Sequence, residues 1–261
     1  MFQQEFLDNV IEKIKQDNLV IGLAVAGSWI TKEIDEYSDL DLVLVTSQKI
    51  APNFDKMVSY AKDFGNLLNA FTGEHVGEKR LLICLFDSPL LHVDIKFLTT
   101  DEFFERVENP VIVWERDYIL TNILNVTKFE FPYPNYQWIE DRFWTWVHYG
   151  CVKIGRGELF EAFDLTSFLR SSVISSLLHI KNNNLPRGLR KVEKLLNKND
   201  LELLKETIPI YDKASIINSL EKLVDIYRDL RRELFKNDIE LREKTEKQVM
   251  NYFNKIKLDY K

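Results

Sequence analysis

Between Val20 and Val45 the chain reads VIGLAVAGSWITKEIDEYSDLDLVLV, two apolar runs separated by a tight turn and a polar connection. The first run, Val20 to Ala26, breaks at Gly27-Ser28. The second opens with Asp39-Leu40-Asp41-Leu42 and continues to Val45. Strand side chains alternate between faces, so Asp39 and Asp41 are expected on one face and Leu40, Leu42 and Leu44 on the core face. Two carboxylates this close on a buried strand repel each other and lose solvation, and a divalent cation relieves both penalties. Mg²⁺ is typically held by one or two carboxylates together with substrate phosphates. Gly27-Ser28 is suited to the phosphates, since a glycine lets backbone N–H groups come close to an anion and the serine adds a hydroxyl.

Gly27-Ser28, a ten-residue spacer and Asp39-Leu40-Asp41-Leu42 resemble the signature of the polymerase-beta-like nucleotidyltransferase superfamily. That superfamily also uses a third carboxylate on a later strand. Asp94 is the only acid in the strand-like run Leu90 to Leu98, LLHVDIKFL. The resemblance covers roughly the first 130 residues. It implies that Asp39, Asp41 and Asp94 are the catalytic and metal-holding residues, with two Mg²⁺ ions and a nucleoside triphosphate, ATP by preference, as co-substrate. It further implies that Gly27 and Ser28 hold the β- and γ-phosphates. Asp94 would ligate the second ion, act as general base, or do both. Lys96 and His92 share its face in a regular strand and reach phosphate, acceptor or only the rim.

With 261 residues the chain is long enough for one large or two modest domains. Its 45% hydrophobic and 29% charged residues are an ordinary soluble composition. A net charge of -6 argues against nucleic acid as partner, because that affinity comes from clustered Lys and Arg. The opening MFQQEFLDNVIEKIKQ reads as an amphipathic helix rather than a signal peptide, and no run approaches the length of about 18 apolar residues that spans a bilayer. A cytoplasmic protein is expected. Cys84 and Cys151 lie in apolar surroundings and are expected to be buried free thiols.

The fold class expected is α+β: an N-terminal nucleotidyltransferase domain over residues 1–130, a mixed sheet with flanking helices, followed by a C-terminal helical bundle over residues 131–261. The helical period in Asn53 to Phe71 predicts one helix, and Phe71 to Arg80 a loop. Strands are predicted at Leu81 to Phe86 and Leu90 to Leu98, with short edge strands at Val111 to Trp114 and Asp117 to Leu120. Phe129 to Tyr136, FEFPYPNY, is Pro- and aromatic-rich and reads as the linker. Helical segments follow at Tyr136 to Ile154, Glu158 to Lys181, Arg187 to Asn197 and Ala214 to Phe235. A last one, Asp238 to Leu258, reads as largely solvated.

An α/β half followed by a bundle also resembles the plan of the kanamycin and lincosamide nucleotidyltransferases and related antibiotic adenylyltransferases. Those enzymes bind cationic acceptors with acids of the helical half, which makes Glu161 and Asp164 candidate substrate residues; a solvated helix start explains the same acids equally well. The function expected is a Mg²⁺-dependent nucleotidyltransferase placing a nucleoside monophosphate on a hydroxyl of a small molecule, an antibiotic among the candidates. The alternatives are a protein-adenylylating enzyme of toxin–antitoxin type and a non-catalytic nucleotide-binding regulator. No membrane partner is expected, and a homodimer is compatible with the helical half.

Overall fold

The computed structural model describes residues 1–258. The chain divides into two compact units, Met1–Phe131 and Pro132–Lys261. In the first, helix α1 (Phe2–Ile14) leads into β1 (Val20–Val25) and β2 (Leu40–Thr46), then α2 (Phe54–Phe64), β3 (Asn66–Gly73), β4 (Glu78–Asp87) and β5 (Leu91–Thr99). A short α3 (Thr100–Phe103), β6 (Val111–Glu115) and α4 (Ile119–Val126) complete the unit. The six strands form one mixed sheet in the order β3-β4-β5-β2-β1-β6, and β2 pairs β5 in parallel while every other neighbour is antiparallel.

Strand alternation sorts the two faces. Leu40, Leu42 and Leu44 of β2 and Val93, Ile95 and Phe97 of β5 are buried with Leu7 and Val10 of α1 and Met57 and Ala61 of α2, forming the larger core. The opposite face is covered over only part of its area. Val45 and Leu98 pack there with Phe103 of α3 and with Leu120 and Ile123 of α4. Asp41 and Asp94, on the same face but nearer the starts of their strands, line a cavity. Thr99 closes a reciprocal cap on α3, with its hydroxyl accepting from Glu102 N–H at 3.3 Å and its own N–H donating to Glu102 Oε2 at 3.0 Å.

Several sequence expectations give way to tertiary pairing. The helix expected to run to Phe71 stops at Phe64, and residues 66–73 become β3 because β4 offers a long edge to pair with. The expected loop Phe71 to Arg80 shrinks to a turn over Glu74–Gly77 for the same reason. Asp117 and Tyr118 adopt positive φ and start α4, so the edge strand expected at Asp117 to Leu120 is absent.

The second unit consists of α5 (Tyr136–Arg156), α6 (Leu159–Leu169), a π-turn at Arg170–Ile174, α7 (Ser175–Lys181), α8 (Val192–Leu195), α9 (Lys198–Lys205), α10 (Lys213–Leu234) and α11 (Glu243–Leu258). The helix expected over Arg187 to Asn197 is reduced to α8. Asn197 instead caps α9 by accepting from Asp200 N–H at 3.0 Å. The last helix is not solvated all round, since Val249, Phe253 and Ile256 bury one face. Cys84 and Cys151 are buried free thiols. No helix of the described residues is long and apolar enough to cross a membrane.

Glu140, fully buried in α5, ties the bundle together. Its carboxylate accepts from Tyr227 OH at 2.6 Å, Arg231 Nη1 at 3.1 Å, Trp144 Nε1 at 3.2 Å and the Arg242 N–H at 2.8 Å. Satisfied on four sides, the charge is tolerable; removed, it leaves the Tyr227 phenol and the Trp144 indole N–H without their acceptor and the Arg231 guanidinium with Glu246 alone. Glu140→Ala should therefore destabilise the protein by about 3–5 kcal/mol. Chemical denaturation is the measurement, and a midpoint unchanged from wild type would refute the assignment.

Candidate functional site

The parallel pairing of β2 with β5 sets Asp41 directly beside Asp94 as Cα neighbours. Adjacent strands lie about 4.8 Å apart, so two carboxylates project from one face at neighbouring positions. Both line a cavity of 210 Å³ together with Ala26, Lys96, Arg106 and Glu108. Asp39 precedes the first residue of β2 and stands half-exposed in a separate hollow with Tyr37, Ser38 and His92. The candidate acids are thus divided, with Asp41 and Asp94 in one cavity and Asp39 at another.

Gly27 makes the approach to Asp41 feasible. The β1–β2 ladder continues through Ala26 N–H, which donates to Asp41 O at 2.9 Å, and the chain then turns with Gly27 at φ +62°. A side chain is unwelcome there twice over. The left-handed backbone suits glycine, and a Cβ would lie 1.9 Å from Asp41 Oδ2. Ser28 follows in the same half-buried turn, and Trp29 packs on the larger core, which anchors the turn.

Around the acids sits a set of basic side chains, each held by a carboxylate. His92 Nε2 lies 3.0 Å from Asp94 Oδ1, and Lys96 Nζ lies 3.0 Å from Glu78 Oε2. Arg80 reaches the same Glu78 through two bonds, Nε to Oε1 at 2.8 Å and Nη2 to Oε2 at 2.7 Å. Arg80 closes the stretch expected as a loop from Phe71; pairing in β4 instead turns it onto Glu78. Neither Glu78, nor Arg106, nor Glu108 was singled out from sequence, because only the strand pairing and the return of the chain after α3 bring them to this face. Below the sheet Cys84 is inert: burial and then the Asp94 charge push its thiol up to about 12.

Among the described residues no group of three or more His, Cys, Asp or Glu is arranged to hold a metal ion by itself. Two adjoining carboxylates opening on a cavity, with Asp41 lodged where a Cβ would otherwise sit, fit a different arrangement. They suit Mg²⁺ held by one or two carboxylates and completed by substrate phosphates. Of the candidate substrate acids, Glu161 is committed locally, accepting from Tyr149 OH at 2.6 Å and pairing with Lys153 Nζ at 2.6 Å. Asp164 is exposed on α6.

Two outcomes follow from this geometry. Gly27→Ala should destabilise the fold by about 1–2 kcal/mol from the left-handed backbone alone, with displacement of Asp41 adding to it; thermal unfolding measures it, and a wild-type melting temperature would refute it. The second concerns pH. Arg80's double hydrogen bond, aided by Lys96, holds the Glu78 carboxyl down at about 2. A carboxyl held below its unfolded value contributes stability that is complete above the unfolded value, about 4.3, and is lost as pH falls toward 2. Melting temperature followed from pH 5 to pH 2 should fall less steeply in Glu78→Gln than in wild type, and equal slopes would refute the role.

Residues 2–256 match the streptomycin adenylyltransferase family. Among solved structures, an aminoglycoside 6-adenyltransferase from Bacillus subtilis is similar at 15% identity, covering 97% of this chain and 98% of that one, with a TM-score of 0.41. A nucleotidyltransferase-like protein from Exiguobacterium sibiricum is similar at 11% identity over 98% and 89% of the two chains, TM-score 0.37. A spectinomycin adenyltransferase from Enterococcus faecialis, solved with ATP and spectinomycin, is similar at 12% identity over 97% and 99%, TM-score 0.34. No curated protein matches the chain. The family match spans nearly the whole chain, which therefore belongs to the streptomycin adenylyltransferase family and is an adenylyltransferase.

Proposed function

We propose that this protein transfers AMP from Mg²⁺-bound ATP to a hydroxyl of an aminoglycoside-type acceptor. The observation that carries the reading is the register pair Asp41–Asp94 opening on a cavity beside the bare Cα of Gly27. The family match supports the adenylyl group and the class of acceptor.

In this reading Gly27 N–H and the Ser28 hydroxyl hold phosphate oxygens of the triphosphate. Asp41 and Asp94 would hold Mg²⁺, and Asp39, which borders the neighbouring hollow, is the remaining candidate ligand. When bound, the ion neutralises charge on the phosphates and aligns attacking and leaving oxygens. The chain's own part is positioning and proton transfer. Asp94 takes the proton from the acceptor hydroxyl as its oxygen attacks the α-phosphorus and pyrophosphate leaves. His92, 3.0 Å from Asp94 and exposed, orients that carboxylate and faces solvent. Lys96, steadied by Glu78, adds positive charge at the cavity wall. In this reading the sheet unit supplies the nucleotide chemistry, and the candidate substrate acids belong to the helical unit. There Asp164 is the first acid to consider, because Lys153 already neutralises much of Glu161.

A base acts chiefly in the transition state, so its loss lowers turnover more than ground-state binding. Asp94→Asn should keep ATP–Mg²⁺ affinity near that of wild type and lose at least about 10²-fold in turnover. Calorimetric titration beside a pyrophosphate-release assay, run with the four nucleoside triphosphates and a panel of aminoglycosides, measures both. Absence of pyrophosphate release with every pair would overturn the reading. Equal loss of binding and turnover in Asp94→Asn would move the base elsewhere.

A further inference from the structure

The segment joining α3 to β6 carries a carboxylate into the turn. Glu108 Oε1 accepts the Gly27 N–H at 3.1 Å. Register explains the meeting: β6 runs antiparallel to β1 with Val111 opposite Val25, so the chain just before β6 lies alongside the chain just after β1. The backbone around Glu108 is held firmly. Arg106 donates Nη1 to Thr127 Oγ1 at 2.6 Å, Nη2 to Thr127 O at 2.9 Å and Nε to Asn109 Oδ1 at 2.8 Å. Glu130 N–H donates to Arg106 O at 3.0 Å, and Pro110 is buried. With both flanks fixed, Glu108 leaves Gly27 by rotating its side chain rather than by opening the segment.

Resting on the nucleotide-binding reading of the turn, this contact has a direct consequence. Gly27 N–H is the donor that the turn presents to a phosphate oxygen, and Glu108 already occupies it. A phosphate oxygen and a carboxylate oxygen contend for the same donor and repel each other at that distance. Glu108 also faces the cavity that Asp41 and Asp94 line, so it adds negative charge to a site meant to receive an anion.

We infer that Glu108 is an intramolecular competitor for the nucleotide's phosphate, seated on Gly27 N–H until a triphosphate displaces it. Apparent affinity is then the intrinsic affinity reduced by the fraction of molecules in which Glu108 has swung away. Because the released carboxylate stays near the cavity, a phosphate whose charge is offset by a divalent cation is favoured over a bare one. Glu108 thereby sets both the strength and the selectivity of nucleotide binding.

The test uses the full chain as wild type, Glu108→Gln and Glu108→Ala, with two measurements on each. Hydrogen exchange of the ¹⁵N-labelled Gly27 amide, without ligand, should be at least about 5-fold faster in Glu108→Ala, where the protecting acceptor is gone. Calorimetric titration with ATP–Mg²⁺ and with tripolyphosphate–Mg²⁺ should show binding about 3- to 10-fold tighter in Glu108→Ala, as expected when a competitor occupying most molecules is removed. Glu108→Gln, which keeps an acceptor without the charge, should fall between. Unchanged exchange at Gly27 would overturn the contact. Weaker affinity with faster exchange would overturn the competition and make Glu108 a contact of the bound nucleotide. If neither wild type nor variant binds either triphosphate, the nucleotide reading of the turn fails and the inference with it. If all three bind equally, the inference alone fails.

Discussion

Parallel pairing of β2 with β5 is the constraint from which the site follows. Parallel neighbours in this sheet require a long connection between them, and α2, β3 and β4 supply it while building the sheet's other half. The pairing aligns Asp41 with Asp94, Val43 with Lys96 and Val45 with Leu98, so one face passes from carboxylates to a cation to a packed apolar end. The opposite face is closed by α1 and α2. A sheet sealed on one side and only partly covered on the other leaves its polar strand starts facing a cavity.

Charge on that face is managed by local pairing rather than by burial. Glu78 gathers Lys96 and Arg80, and the Arg80 guanidinium also lies near Glu102, which caps α3. This network crosses from β4 to β5 and to the start of α3, the element that covers the apolar end of the face. Exposed pairs of this kind contribute little individually, but Arg80's bidentate grip on Glu78 is the geometry in which a pair counts. The bundle solves a different problem. Its fully buried glutamate, Glu140, is surrounded by donors from α5, from α10 and from the chain leading into α11. There, desolvation makes every missing partner expensive, so the network specifies how the helices meet.

Much of the architecture was legible in the chain because its strongest signals are periodic and local. The apolar runs at Val20 to Ala26 and Leu40 to Val45 and the long periodic stretches of α5 and α10 need no knowledge of distant residues. The segments that went astray are those whose state depends on a partner. Residues 66–73 have a composition that serves either helix or strand, and the exposed edge of β4 decided for strand. The face of α11 bearing Val249, Phe253 and Ile256 is spaced among Lys and Glu, and packing revealed it as buried. Asp39 and Asp41 looked equivalent by alternation, yet β2 begins between them, and each acid borders a different hollow.

By itself the sequence determined the chemical vocabulary of this protein: a glycine-serine turn, paired aspartates, a third aspartate on a later strand, and a change from strand to helix periodicity near its middle. Those features depend on side-chain identity and short spacing, which survive without coordinates. Tertiary structure alone decided the neighbours. That Asp94 stands beside Asp41, that Glu78 restrains Lys96, and that Glu108 rests on Gly27 all depend on register between strands far apart in sequence. A shift of one residue in either pairing would turn the same side chains to the other face, and no local pattern in the chain records which register wins.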